Sequence, residues 1–155
     1  MKPADLRIRP ASISDLDQLV GLLRELFSIE ADFDFNASRQ RQGLTRLLAD
    51  SRGCLLVAES AGRVVGMCPV QTLISTAEGS RVGLVEDVVV TAAQRGRGIG
   101  RALVTALEQW ARDNGLTRLQ LLADRTNAPA LRFYEKLDWS PTQLICLRKK
   151  IGEIR

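Results

Sequence analysis

Seven consecutive residues, Arg95-Gly96-Arg97-Gly98-Ile99-Gly100-Arg101, constrain this chain more than any other stretch. They follow an apolar run at 82–90 that reads as a strand. They precede Ile99, Leu103, Ala106, Leu107 and Trp110, which share one face at helical spacing before Gly115, a residue suited to a left-handed helix cap. A strand that passes into a helix through glycines leaves the amides of the turn and of the first helical turn without backbone partners. Those amides, the positive end of the helix dipole and three guanidinium groups together make an anion site, and the glycines let a bulky anion reach the main chain.

The other elements follow from periodicity and punctuation. Residues 6–9 alternate as a strand that Pro10 closes. A helix follows from Ser14 or Asp15, either of which can cap it, with Leu16, Leu19, Val20, Leu23, Leu26 and Phe27 on one face. A second helix spans about 38–50 with Leu44, Leu47 and Leu48 on one side, joined to the first by the acidic segment 30–36. Strands at 55–59 and 64–74 turn at Ala61-Gly62, and a turn at Glu78-Gly79 leads into 82–90, giving an antiparallel meander. Residues 119–123 form a short apolar run suited to a strand buried on both faces. Asn127 can cap a last helix that has Pro129 in its first turn and carries Leu131, Phe133, Tyr134 and Leu137, and residues 143–148 supply a final strand. The expected fold class is α/β: one mixed, mostly antiparallel sheet flanked by helices, in the order β-α-α-β-β-β-α-β-α-β, as a single domain over 1–155.

Charge and composition remove several function classes. Lys and Arg number 22 against 18 Asp and Glu, but they are scattered, which suits one anionic ligand better than the stripe of phosphate contacts a duplex requires. The aromatic share of 5% offers no stacking surface for single strands, so nucleic acid is not the expected partner. Histidine is absent, and Cys54, Cys68 and Cys146 form no Cys-x-x-Cys pair, so no metal is expected. No leader-like segment or apolar stretch of membrane-spanning length occurs, which points away from a membrane and to the cytoplasm, with reduced thiols.

A pyrophosphate suits the glycine-arginine loop, and two common pyrophosphate binders fail on spacing. No Gly-Lys pair exists for a Walker A loop, and the sixth position of a dinucleotide fingerprint counted from Gly96 is Arg101. The chain resembles instead the GNAT superfamily of acyl-CoA-dependent N-acyltransferases, whose signature [Gln/Arg]-x-x-Gly-x-[Gly/Ala] is matched by residues 95–100. The resemblance extends to Ile8-Arg9-Pro10 before the first helix, Glu86-Asp87-Val88-Val89-Val90 before the signature, and Asn127-x-x-Ala130-x-x-Phe133-Tyr134 after it. It departs at Asp138-Trp139, where the family usually has Gly-Phe, and in a short C-terminal end.

The resemblance implies acetyl-CoA as donor, with its pyrophosphate on Arg95, Gly96, Arg97, Gly98, Ile99, Gly100 and Arg101. Its pantetheine arm would lie along Val88, Val89 and Val90, freed by a β-bulge, with Asn127 nearby. It implies Tyr134 as general acid for the departing thiolate. An alkyl ammonium must lose a proton before it can attack, and Glu86, on the strand beside the thioester, is the candidate base through water, with Asp87 facing the other way. The three cysteines are expected as small core residues. By the same resemblance residues 30–35 border the acceptor cleft, where Glu30, Asp32 and Asp34 would attract a cationic small-molecule or peptide amine and Phe33 and Phe35 would pack on its carbon chain. The plainer alternatives are a salt bridge for Glu86, a packed aromatic for Tyr134, and a solvated loop with phenylalanines anchored in the core for 30–35. A non-catalytic acyl-CoA sensor is the rival function, and a homodimer would cover a sheet edge left by the short C-terminal end.

Overall fold

Alternating residues after the N-terminus give β1, Arg7–Pro10, which pairs antiparallel with β2, Cys54–Ser60. A computed structural model describes residues 3–30 and 32–153. β3, Arg63–Ser75, and β4, Ser80–Val85, continue the expected antiparallel meander. The β2–β3 turn has positive φ at both Ala61 (49°) and Gly62 (72°), the mirror-image conformation that suits a right-twisted hairpin. β5 is only Val89–Val90 and pairs with β3, whereas β6, Leu119–Leu121, pairs in parallel with β4, giving the order β1-β2-β3-β4-β6 with β5 off that path.

Three helices accompany this sheet. α1, Leu16–Phe27, and α2, Ala37–Ala49, bury Leu19, Leu22, Leu23, Leu26 and Leu44 with Val57 and Met67 of the strands. α3, Ile99–Asp113, lies on the opposite face: a Cβ on Gly66, which neighbours Met67 in β3, would meet a Leu103 methyl at 3.0 Å. Successive residues of a strand point to opposite faces, so both faces of the sheet are covered. Leu103 is 0% exposed, and burial of such a side chain contributes about 2 kcal/mol. α3 ends as expected at Gly115 (φ 71°), where the Gly115 and Leu116 amides return to the Arg112 and Ala111 carbonyls.

The start of α1 differs from expectation. Neither Ser14 nor Asp15 caps it with a side chain. Asp15 accepts instead from the Ser12 amide at 2.8 Å and from both terminal nitrogens of Arg9 at 2.8 and 2.9 Å, and Arg9 also donates to Glu59. The Arg9 guanidinium holds the buried Asp15 carboxyl down at about 2, so the charge that could have capped α1 ties β1 to β2 and to the turn before the helix. α2 starts earlier than 38 because Asn36 caps it, accepting from the Arg39 amide at 3.0 Å.

The chain divides into two compact units between Leu121 and Leu122. In the second, Asn127 caps α4, Ala128–Glu135, accepting from the Ala130 amide at 3.2 Å. The helix closes with Asp138 at φ 64° and with the Asp138 and Trp139 amides on the Glu135 and Tyr134 carbonyls. Asp138 thus occupies the left-handed position that a glycine takes most easily, and Trp139 makes the apolar contact that accompanies such a cap, 5.7 Å from the Tyr134 ring.

Two expected strands differ. Residues 143–148 form none and are exposed, Leu144 at 87%. Their two alternating faces, Gln143/Ile145/Leu147 and Leu144/Cys146/Arg148, are both mixed, so no apolar face fixes a register. Cys146 is therefore exposed rather than core. β6 is shorter than 119–123 and half-buried, with Gln120 exposed, rather than buried on both faces.

Candidate active site

The loop between β5 and α3 is built to keep amides free. The Thr91 amide donates to the Val65 carbonyl at 2.8 Å, a 3₁₀ turn follows at Ala92–Gln94, and Arg95 folds its Nε back onto the Val90 carbonyl at 2.9 Å. Gly96 and Gly98 then adopt φ of 74° and 76°. The first bond into α3 runs from the Ala102 amide to the Gly98 carbonyl at 3.0 Å, and no described residue accepts from the amides of Gly98, Ile99, Gly100 or Arg101. A Cβ on Gly96 or Gly98 would meet nothing within 4 Å, so these glycines serve the backbone conformation and leave open space above it.

Arg95, Arg97 and Arg101 are exposed, and none is paired with a carboxylate among the described residues. Arg97 is steadied by Gln94 at 3.0 Å. Three uncompensated cations beside four free amides at a helix N-terminus fit a pyrophosphate. Ile99 differs from its neighbours: its side chain is 1% exposed and belongs to the core, so only its amide faces outward.

The strand before the loop is broken. Going from Val70 to Met67 on β3 takes three steps, while their partners Val85 and Val89 are four apart, so one extra residue is inserted. Asp87 lies in this bulge with φ 52°, and Val88, read as strand, lies in it too. β4 goes on to pair with β6, whereas β5 has a partner on one side only. Val89 points into the core at 5% exposure, leaving main-chain groups of the open edge available to an extended ligand.

The two adjacent carboxylates differ in setting. Glu86 is exposed and forms no ion pair among the described residues. Asp87 is half-buried, and its carboxyl is pushed up to about 6, mainly by burial and then by the charges of Glu86 and Glu30. Strand alternation turns Asp87 away from the face of Glu86, but the bulge breaks that alternation. An aspartate in a bulge tolerates positive φ, which is the one sequence signal that could have drawn attention to it.

In the segment 30–35, expected to border the acceptor cleft, Ala31 lies outside the described residues. Glu30 is half-buried, Asp32 and Asp34 are exposed, and Phe33, 45% exposed, rests 5.4 Å from the Phe27 ring. Phe35 packs against the core cluster with the Arg24 guanidinium 4.8 Å above its ring. The anchored-phenylalanine alternative therefore holds for Phe35, while Phe33 stays half open. In the second unit, Asn127 is engaged as a cap, and the half-buried Tyr134 has Phe133 edge-on at 5.1 Å.

Burial pushes the Cys54 and Cys68 thiols up to about 11 and about 12, which keeps them protonated and poor nucleophiles. Among the described residues no group of three or more His, Cys, Asp or Glu is placed to hold a metal ion, and no helix is long and apolar enough to cross a membrane.

Known proteins share both sequence and fold with this chain. An N-acetyltransferase of Archaeoglobus fulgidus is 30% identical over 135 residues, 86% of this chain and 92% of that protein. A glucosamine 6-phosphate N-acetyltransferase of Oryza sativa subsp. japonica is 42% identical over 115 residues, 70% and 67% of the two chains. The crystal structure of a transcriptional regulator from Bacillus halodurans C-125 superposes with a TM-score of 0.80 at 27% identity, covering 94% of this chain and 99% of that one. The sequence model of the acetyltransferase (GNAT) family matches residues 18–139, a span that runs from α1 through the glycine-arginine loop to the end of α4, and the chain belongs to that family.

Proposed function

We propose that the chain transfers the acetyl group of acetyl-CoA to a primary amine in the cytoplasm, by direct attack of the amine in a ternary complex. The observation that carries this reading is the set of free amides at the α3 N-terminus beside three unpaired arginines, next to the open edge of β5. Acetyl-CoA supplies an activated thioester. Arg95, Arg97 and Arg101 with the amides of residues 98–101 hold its pyrophosphate, and Val88, Val89 and Val90 offer main-chain groups to its pantetheine arm. Asn127 serves the same arm.

Proton movement completes the reaction. Glu86, exposed to solvent, takes the ammonium proton through water, and the freed amine forms its bond to the thioester carbon while a main-chain amide near Val88 holds the carbonyl oxygen; the C–S bond then breaks as the second nitrogen proton leaves through the same water and Tyr134 gives its proton to the thiolate. The open side of β6, which has one partner strand among the described residues, is where a second copy of the chain would dock.

A panel of amines mixed with acetyl-CoA, with free thiol followed over time, tests the proposal. Amine-dependent thiol release is the expected result. Saturable acetyl-CoA binding with no thiol release for any amine would favour the second reading, a non-catalytic sensor, which the likeness to a structure described as a transcriptional regulator supports.

The acceptor class follows from charge. Asp32 and Asp34 are exposed and unpaired with any cation among the described residues, so a polyamine, a lysine side chain or an aminosugar is favoured over an anionic acceptor. The glucosamine 6-phosphate relative shares the amine nucleophile in its name but adds an anionic phosphate, so it supports the amine and not the charge preference. Replacing both residues by Asn is expected to lower kcat/KM for the best cationic acceptor by roughly three- to tenfold at low salt, as loss of two exposed charges should. High salt should shrink the difference by screening the parent enzyme. Equal activity of parent and double variant at low salt would take the segment out of the acceptor site.

A further inference from the structure

The loop that presents the free amides is held from outside by two groups among the described residues, and one of them is a carboxylate from a distant helix. Glu25, on α1, accepts from the Thr91 hydroxyl at 2.7 Å and from the Ala92 amide at 3.0 Å, across 66 and 67 residues of sequence. The other outside anchor is the Val65 carbonyl, which accepts from the Thr91 amide. Every further bond in the loop is internal: Gln94 to Thr91 and Arg95 to Ala92 along the turn, Arg95 to the Val90 carbonyl, Arg97 to the Gln94 side chain.

Glu25 is half-buried and has no cationic partner among the described residues, so its charge is balanced by these two donors alone. Ala92 opens the 3₁₀ turn, where an amide has no partner within the turn and the peptide dipoles favour a negative charge. A carboxylate has two oxygens and satisfies hydroxyl and amide together, and each bond is strengthened by the charge. A neutral side chain of the same shape can accept only one of them well.

We propose that Glu25 is a positioning residue for acetyl-CoA: by capping the turn at Thr91 and Ala92 from α1, it fixes the path on which Arg95 and the amides of residues 98–101 meet the pyrophosphate. The inference rests on the cofactor-loop reading above and adds to it a residue outside the family signature. Glu25 touches neither the pyrophosphate nor the acceptor amine in this scheme. Its effect is therefore selective, since a loosened loop lowers the fraction of molecules with all amides aimed at the ligand and leaves the acceptor side unchanged.

Calorimetry with acetyl-CoA, steady-state kinetics with the best amine and thermal unfolding would be run on the parent and on Glu25→Gln, Glu25→Ala and Thr91→Val. Glu25→Ala is expected to raise the acetyl-CoA Kd and KM by roughly ten- to thirtyfold, as loss of a charge-assisted pair should, with acceptor KM within about twofold of the parent. Thr91→Val, which keeps the side-chain shape and removes one of the two donors, is expected to raise Kd by about threefold, and the double variant by no more than Glu25→Ala alone, since the two residues share one contact. Glu25→Gln should recover part of the affinity through its single carbonyl oxygen. Unchanged acetyl-CoA affinity in Glu25→Ala, or equal losses for acetyl-CoA and acceptor that track the loss of thermal stability and are not recovered in Glu25→Gln, would overturn the positioning role. Should Glu25→Ala fail to fold, Thr91→Val decides alone: selective loss of acetyl-CoA affinity supports the role and unchanged affinity overturns it. A parent protein that does not bind acetyl-CoA would overturn the cofactor-loop reading itself, a result distinct from binding that is indifferent to Glu25.

Discussion

Gly98→Glu is expected to abolish acetyl-CoA binding, weakening it by about a thousandfold or more, or ~4 kcal/mol, while the protein stays folded. The new side chain would start in open space, since a Cβ at Gly98 meets nothing within 4 Å. The folded state would bear only the strain of a residue with a side chain at φ 76°, about 1–2 kcal/mol. The carboxylate would compete for the free amides at the start of α3 and repel the pyrophosphate at close range, where no intervening residue screens it. Gly98→Ala separates the two effects, because it has the same backbone strain without the charge, and it should lose no more than about tenfold in affinity. Calorimetry on both variants, with thermal unfolding as the folding control, measures the difference. Unchanged acetyl-CoA affinity in Gly98→Glu would refute the cofactor assignment.

What the sequence could disclose was whatever depended on neighbours along the chain. The loop and α3 were legible because glycine placement, helical periodicity and the Gly115 cap are all local. The Ala61-Gly62 hairpin and the Asn127 cap were legible for the same reason. The misplaced features depend on partners far away in sequence. Asp15 looked like a cap because the Arg9 and Glu59 network that takes its charge spans three elements. Residues 143–148 looked like a strand because weak alternation is visible while the absence of a pairing partner is not.

The candidate site divides in the same way. A bulge that opens the edge of β5 is legible in the sequence, but its consequence for Asp87 is not, because the extra residue reverses the alternation that would set Glu86 and Asp87 on opposite faces. Glu25 gave no signal at all: it sits in α1 among residues read for their apolar face, and its role exists only once Thr91 and Ala92 are brought to it. A helix that carries Arg24 against Phe35, Glu25 against the glycine-arginine loop and Phe27 against Phe33, three contacts within one turn, is more than a core element. It is the part of the first unit that contacts both the glycine-arginine loop and the segment at 33–35.

Tyr134→Phe is expected to lower kcat by roughly ten- to ten-thousandfold while leaving acetyl-CoA affinity nearly intact, the pattern produced by losing a group that acts only in the chemical step. The Tyr134 ring is half-buried, with Phe133 edge-on at 5.1 Å and Trp139 at 5.7 Å, and a phenylalanine ring makes both contacts, so the aromatic packing of α4 and its closing turn is kept. Only the hydroxyl is lost. A phenol has a pKa of about 10 and a thiol about 8.5, so the hydroxyl can steady the departing thiolate by a hydrogen bond and deliver a proton that water restores. A packing residue would behave otherwise, losing thermal stability with larger-to-smaller changes and leaving kcat at the parent value in the phenylalanine variant. Because slow product release would hide a slower chemical step, kcat should be measured with increasing solvent viscosity as well as by single turnover. A single-turnover rate equal to the parent's would reduce Tyr134 to an aromatic of the α4 cap. A reduced single-turnover rate that saturating acetyl-CoA does not restore, with a kcat indifferent to viscosity, would mark it as the acid.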